Sequence, residues 1–405
     1  MGWPSRLARD DVFAYPTRVT LERRSFLQSL AFAAAAPKTT VASLETFVVK
    51  VNRRGNWIFV RLRTSDGVTG VGDASHGDDA ATLRRLHQYF ELLKGRSVHD
   101  IEAYRSRVFP LIEKEGRAAI VAASALEHCL WDIRGKILGL PVYDLLGGRV
   151  QPRIRNYANI NRSTEPRTPQ GFAQMAQRAV DAGFDAVKLA PFDEIPRNVT
   201  GGPQLEEFTR RGLACAQAVR EVLGPNRDLL IDVHSHYDLE HGLDLARRFE
   251  PLKLFWLEEV TPAEPLANLA RINREARMPT AGGESVFGVK GFYRYIREQA
   301  VDIVMPDIKY SGGMWETRKI AAIAEGAGLQ VSPHGPASPI GNAAAAHVCA
   351  VLPNFLILEF SFGEVPYRAE LIDPPEQLDQ GCLQLSARPG FGIEINEKAA
   401  RHYAA

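Results

Sequence analysis

The stretch LLIDVH (229–234) is a short apolar run that ends on a carboxylate, Asp232. Two further runs read the same way: LFWLEEV (254–260) reaches Glu258, and PTAGGES (279–285) reaches Glu284. The three acids stand 26 residues apart in each case, which suits one strand–loop–helix–loop unit of a barrel. A lone acid at a strand end ordinarily caps the next helix. Three at equal spacing instead point to side chains converging on one rim, where a (β/α)₈ barrel keeps its chemistry. Three carboxylates without cysteine form a hard, all-oxygen set suited to Mg²⁺, with Mn²⁺ as a substitute.

Outward from these acids, strands alternate with helical text from about residue 153. Strand ends are expected near Ala158, Lys188, Asp232, Glu258, Gly283, Asp307, Pro333 and Glu359. Eight such units fit a closed parallel barrel; a doubly wound sheet would not so readily bring these polar ends to one centre. No GxGxxG or GxxxxGK run is present, which weighs against a nucleotide-binding fold. Before the barrel, SLETFVVKV and NWIFVRLRT read as a hairpin turning at Asn52-Arg53-Arg54-Gly55, and helical patterns follow over 78–94, 100–112 and 119–139. The tail 382–397 reads as short strands that would pack back on this first domain. The expected division is a leader over 1–40, an α+β domain over 41–150, the barrel over 151–375 and a closing segment over 376–405.

The 405 residues are 45% hydrophobic and 24% charged, with a net charge of +1. That balance gives no electrostatic reason to expect a nucleic acid partner. Cys129, Cys215, Cys349 and Cys382 are scattered without a CxxC pair, so packing is their expected role. Arg23-Arg24-Ser25-Phe26-Leu27 leads into SLAFAAAAP (29–37), the pattern of a twin-arginine export signal and too short to span a bilayer. The chain is therefore expected outside the cytoplasm if the leader acts, and in the cytoplasm if this text is only an overextended start.

An acid held by the cation loses its α-proton only to a base. His334, in VSPHGP, lies one unit after Asp307, in VMPDIK. From adjacent strand ends the Asp307 carboxylate would orient the imidazole and raise its basicity. His234 follows Asp232 by two positions, so a continuing strand would point both inward. As imidazolium it would protonate a departing β-hydroxyl, a poor leaving group without such help. Lys188, in DAVKLAP, would stabilise charge on the substrate, and Glu359, in LILEF, kept protonated, would donate a hydrogen bond to the enediolate. His236 has no single expected role.

These motifs, with SALEHCLWDIRGKILGLPVYDLLGG (124–148), closely resemble the enolase superfamily in its mandelate racemase branch, over about 41–397. The resemblance implies a modified (β/α)₈ TIM barrel with an α+β capping domain completed by the C-terminal segment. It also implies Mg²⁺ on Asp232, Glu258 and Glu284, an Asp307–His334 dyad, and a symmetric homo-oligomer, from dimer to octamer. Many members carry Lys-x-Lys on the second strand, whereas this chain has Lys188-Leu189-Ala190. A two-base racemisation thus lacks its usual second base. Asp232-Val233-His234 is similar to acid-sugar dehydratases of the galactonate type, which implies a lyase making a 2-keto-3-deoxy acid. His76, Arg162 and Asp193 are the expected substrate contacts, in polar loops that suit a polyhydroxylated acid. A cycloisomerase of a sugar-acid lactone or anhydro sugar acid, a 2-hydroxy-acid racemase or epimerase, and a non-catalytic sugar-acid-binding protein are the alternatives.

Overall fold

The structure is a computed structural model that describes residues 39–52 and 55–405. The leader with Arg23-Arg24, and Arg53-Arg54 at the hairpin tip, lie outside the described residues.

Strands β1 (Val41–Asn52), β2 (Gly55–Thr64) and β3 (Thr69–Asp73) form an antiparallel sheet, with Phe47 opposite Phe59 and Val49 opposite Trp57. Trp57, Ile58, Phe59 and Val60 are all buried, so β2 is covered on both faces rather than alternating. Helices α1 (Asp79–Phe90), α2 (Ile101–Glu115) and α3 (Arg117–Leu138) follow. Asp78 caps α1 by accepting from Ala81 N, and Gly139 ends α3 in the left-handed conformation (φ 68°). Strand β3 lies directly on α3. A Cβ at Gly72 would meet the Ala125 carbonyl at 2.2 Å, so only glycine permits that approach.

The barrel strands are β4 (Ile154–Asn159), β5 (Ala186–Leu189), β6 (Asp228–Asp232), β7 (Trp256–Glu258), β8 (Thr280–Gly282), β9 (Ile303–Val304), β10 (Gln330–Val331) and β11 (Leu358–Ser361). Each pairs in parallel with the next from β4 to β10, and β11 pairs with β4. A bridge from Val331 to Phe355 closes the ring between β10 and β11. Helices fill the seven crossovers, but β11 is followed by a 3₁₀ turn and short strands in place of an eighth helix. That is the modification of the regular barrel. Strands β9 and β10 are shorter than their apolar text suggests: the chain beyond Val304 and Val331 stays extended with single ladder bonds (Met305 N to Gly282 O, Ser332 N to Val304 O).

Period-two alternation builds the site. Tyr157, Ala186, Leu230, Trp256, Met305 and Ile357 plug the barrel interior. Two residues further on, the same inward positions carry Asn159, Lys188, Asp232, Glu258, Asp307 and Glu359, all buried. A polar ring therefore sits directly on an apolar floor. The tail returns to the first sheet, where Ala405 N donates to Val48 O and Lys50 N to Tyr403 O. All four cysteines are free, and no described helix is long and apolar enough to cross a membrane.

Candidate active site

Asp232 and Glu258 are Cα partners across β6 and β7, so their carboxylates leave the rim side by side. One ligand atom from each of Asp232, His234 and Glu284 lies within 4.8 Å of the others. Glu258 is not in that tight group: its oxygens accept from Lys188 Nζ at 2.8 and 3.1 Å, and Oε2 also accepts from Trp256 Nε1 at 2.9 Å. Its Oε1 keeps a lone pair, since a carboxylate oxygen accepts twice. Lys188 is wholly enclosed, with Asp232 Oδ2 at 3.6 Å and Glu359 Oε1 at 3.7 Å. Burial pulls its pKa down, but Glu258 and Glu359 outweigh that and hold it well above the ordinary value.

His334 Nδ1 lies 2.8 Å from Asp307 Oδ2, and Nε2 lies 3.1 Å from Glu284 Oε2. Burial lowers the imidazole pKa, yet Glu284, Glu359 and Asp307 together raise it to about 9. Asp307 is pushed up by burial but brought below its usual range by Lys309 and His334. Lys309 sits 3.6 Å from Asp307 Oδ2 with its Nζ buried and without a hydrogen-bond partner.

His234 reaches the site by a route the strand pattern does not foresee. Strand β6 stops at Asp232, and His234 (φ 48°) and Ser235 (φ 58°) turn left-handed, a conformation that non-glycine residues seldom adopt. The turn folds His234 back, so that its backbone N donates to Asp232 Oδ1 and its Nε2 lies 3.0 Å from Asp232 Oδ2. Inward placement by continued alternation is thus corrected: the convergence is made by the turn. Nδ1 pairs with Asp193, whose other oxygen accepts from Asn161 at 2.9 Å. Burial lowers the His234 pKa, but Asp232 and Asp193 outweigh it and hold it well above 6.5.

Glu359 lies on the same ring, beside Lys188. Its oxygens accept from Asn159 Nδ2 and, at 2.9 Å, from Gly335 N. Burial pushes the carboxyl up, but Lys188 and His334, with these donors, hold it well below the usual range. Both of these protein contacts are ones in which it accepts.

Arg162 Nη1 lies 2.8 Å from Glu364 Oε1 and within 3.3–3.4 Å of both ring nitrogens of His76. His76 accepts from Trp57 Nε1 at 3.3 Å, and burial, with Arg162 beside it, keeps it neutral. His236 lines a separate cleft with Arg197, Thr200 and Asn268.

Sequence reading missed Asn159, Glu259, Lys309 and Glu364. Only two carried a signal: Lys309 lies two positions past Asp307, and Glu259 doubles Glu258. Glu259 adopts φ 44°, its carbonyl accepts from Ser235 N, and burial, Glu284 and Asp232 push its carboxyl to about 8. Left-handed residues cluster at functional sites because packing must over-determine them.

The chemistry of this donor set fits a divalent cation. Burial and the Asp232 carboxylate also push Glu258 to about 8, so the rim holds more crowded negative charge than its lysine relieves. A dication on carboxylate oxygens would relieve it.

Two family models match the chain: the mandelate racemase / muconate lactonizing enzyme N-terminal domain over residues 33–147, and the enolase C-terminal domain-like family over 171–399. The D-gluconate dehydratase of Thermoproteus tenax is 32% identical over 86% of this chain and 70% of its own length. The D-galactonate dehydratase of Variovorax paradoxus is 30% identical over 85% and 90%. A solved mandelate racemase/muconate lactonizing enzyme-like protein from Rubrobacter xylanophilus superposes with a TM-score of 0.83 at 31% identity, covering 91% of this chain and 98% of that one.

Proposed function

The chain belongs to the enolase superfamily, in its mandelate racemase / muconate lactonizing enzyme branch, and from that premise we propose that it is a Mg²⁺-dependent sugar-acid dehydratase. Members of this superfamily generally use Mg²⁺. Here Asp232, Glu258 and Glu284 would hold the ion, which supplies positive charge to a substrate carboxylate as its α-proton leaves. The division into a cap over 41–150, a barrel over 151–375 and a closing segment over 376–405 is part of the same reading.

The carrying observation is the placement of two imidazoles. His234 and His334 follow β6 and β10, four strands apart on an eight-strand ring, so they face each other across the mouth. Asp307 fixes the Nδ1–H of His334, and a cation on Glu284 would offset the charge that raises the imidazole pKa, freeing Nε2 to take the α-proton. His234, its Nδ1 paired with Asp193, would give the Nε2 proton to the β-hydroxyl on the opposite side. Loss of water yields an enol, which tautomerises to a 2-keto-3-deoxy acid. Lys188, placed between Glu258 and Glu359, holds the charges of the rim in register, and Glu359 would hydrogen-bond the enediolate. Ala190 stands where a second-strand base would be needed for racemisation, and its side chain exchanges no proton.

The test is incubation with Mg²⁺ and a panel of aldonic acids, including gluconate and galactonate. A semicarbazide-reactive 2-keto product from at least one is expected. No such product from any member, with metal bound, would count against dehydration.

A further inference from the structure

Glu364 lies on the loop leaving β11, five residues past Glu359. Its side chain is wholly buried (0% exposed). Oε1 accepts from Arg162 Nη1 at 2.8 Å and from Asn52 Nδ2 at 3.0 Å, whereas the equally buried Oε2 has no hydrogen-bond partner. An unpaired buried acceptor is costly and rare in native folds, so it asks for a donor. The cluster is linked to the proposed base through Tyr310, whose OH donates to the His76 carbonyl at 3.1 Å and whose ring centroid is 6.2 Å from that of His334. It also joins the two halves of the site, since Asn52 ends β1, His76 lies on the loop after β3, and Arg162 and Glu364 come from the loops after β4 and β11.

We propose that Glu364 restricts this site to sugar acids with one carboxylate. Its free Oε2 accepts a hydroxyl hydrogen at the end of the substrate remote from the reacting carboxylate. Its charge meanwhile occupies Arg162 and so denies that cation to a second carboxylate, which would also face Glu364 itself. Aldonates are accepted and aldarates rejected, the rejection being an element of repulsion as much as of fit. The inference rests on the sugar-acid reading above.

The decisive measurement is binding, by calorimetry, in Mg²⁺-loaded protein carrying His334→Asn, so that no acid is consumed. The probes are two matched pairs, gluconate with glucarate and galactonate with galactarate. At least one aldonate is expected to bind on the order of a hundredfold more tightly than its aldarate, below the roughly 10⁴-fold that a fully mispaired buried polar site can reach. Adding Glu364→Gln should shrink that ratio about tenfold or more, mainly by tightening the aldarate, and Glu364→Asp should restore it. Ratios near one with Glu364 intact, or a ratio unmoved in a Gln variant of unchanged melting temperature, would overturn the proposal. Should the Gln variant not fold, the ratio with Glu364 intact decides alone. Turnover of unaltered enzyme reads the other question: turnover with equal binding sinks only this inference, and selective binding without turnover sinks only the dehydratase reading. Binding of neither class removes both.

Discussion

Left-handed backbone at His234, Ser235 and Glu259 bends two neighbouring strand ends toward the same carboxylates, and the Ser235 N to Glu259 O bond ties the bends together. This makes His234 separable from His334 by experiment, because they serve different steps. His334→Asn removes the base and is expected to lower kcat by 10³-fold or more. His234→Asn is expected to lower dehydration by about 10²–10⁴-fold, the usual worth of a general acid, while exchange of the α-hydrogen with D₂O persists. Proton NMR of recovered substrate distinguishes the two, and loss of exchange in the His234 variant would remove its assignment as acid only. The metal reading has its own test at this scale. Mg²⁺ at a hundredfold excess over its Kd should stabilise the fold by about 2.7 kcal/mol. Glu284→Gln should abolish most of that gain without lowering stability in EDTA, as read by denaturant unfolding. The acids were legible in sequence because strand ends advertise themselves by apolar runs at a barrel's spacing. Glu364, Asn159 and the turn at His234 were not, because their meaning lies in partners up to about 300 residues away, as with Asn52 and Glu364.

Helices α1 to α3 begin and end within four residues of the expected bounds, since caps and apolar periodicity are local properties. The strands were located by their apolar text, but their ladders were not: β9 and β10 contribute two paired residues each. Pairing length depends on how a neighbour's register runs out, which no local pattern encodes. The contact of β3 with α3 was equally invisible, yet it is demanding. Gly72 would place a Cβ 2.2 Å from the Ala125 carbonyl and 3.0 Å from Cys129 Sγ. Backbone cannot yield as a side chain does, so Gly72→Ala is expected to cost about 1–3 kcal/mol. Denaturant midpoints should fall at unchanged m-value; an unshifted midpoint would show that the sheet can lift off the helix freely.

Across the whole molecule, α3 is the hub that joins segments distant in the chain. Its Glu127 accepts from Met314 N and Trp315 N, closing the N-terminus of the Met314–Gly326 helix. Its Asp132 accepts from Val71 N on β3 at 3.0 Å and from Phe391 N in the tail at 2.7 Å, with Lys136 Nζ at 2.9 Å. The sequence identified the helix and the returning tail but not this carboxylate, whose role exists only once β3 and the tail arrive on either side of it. Asp132 is fully buried. Asp132→Ala therefore leaves two N–H groups without their acceptor and Lys136 with only Glu394 and the Thr69 carbonyl, a loss expected to cost about 3 kcal/mol. The loss should also be directional. The tail touches α3 through Asp132, the Lys136–Glu394 ion pair and the close approach of Gly390 to Gly135, and loss of the first should loosen it before the barrel. Limited proteolysis is then expected to cut within 376–405 at protease levels that leave the unaltered protein intact, while Mg²⁺-dependent stabilisation survives. Uniform destabilisation with no preferential cleavage of the tail would mean that Asp132 serves the helix and sheet alone, and that other contacts, such as Ala405 on β1, secure the C-terminus.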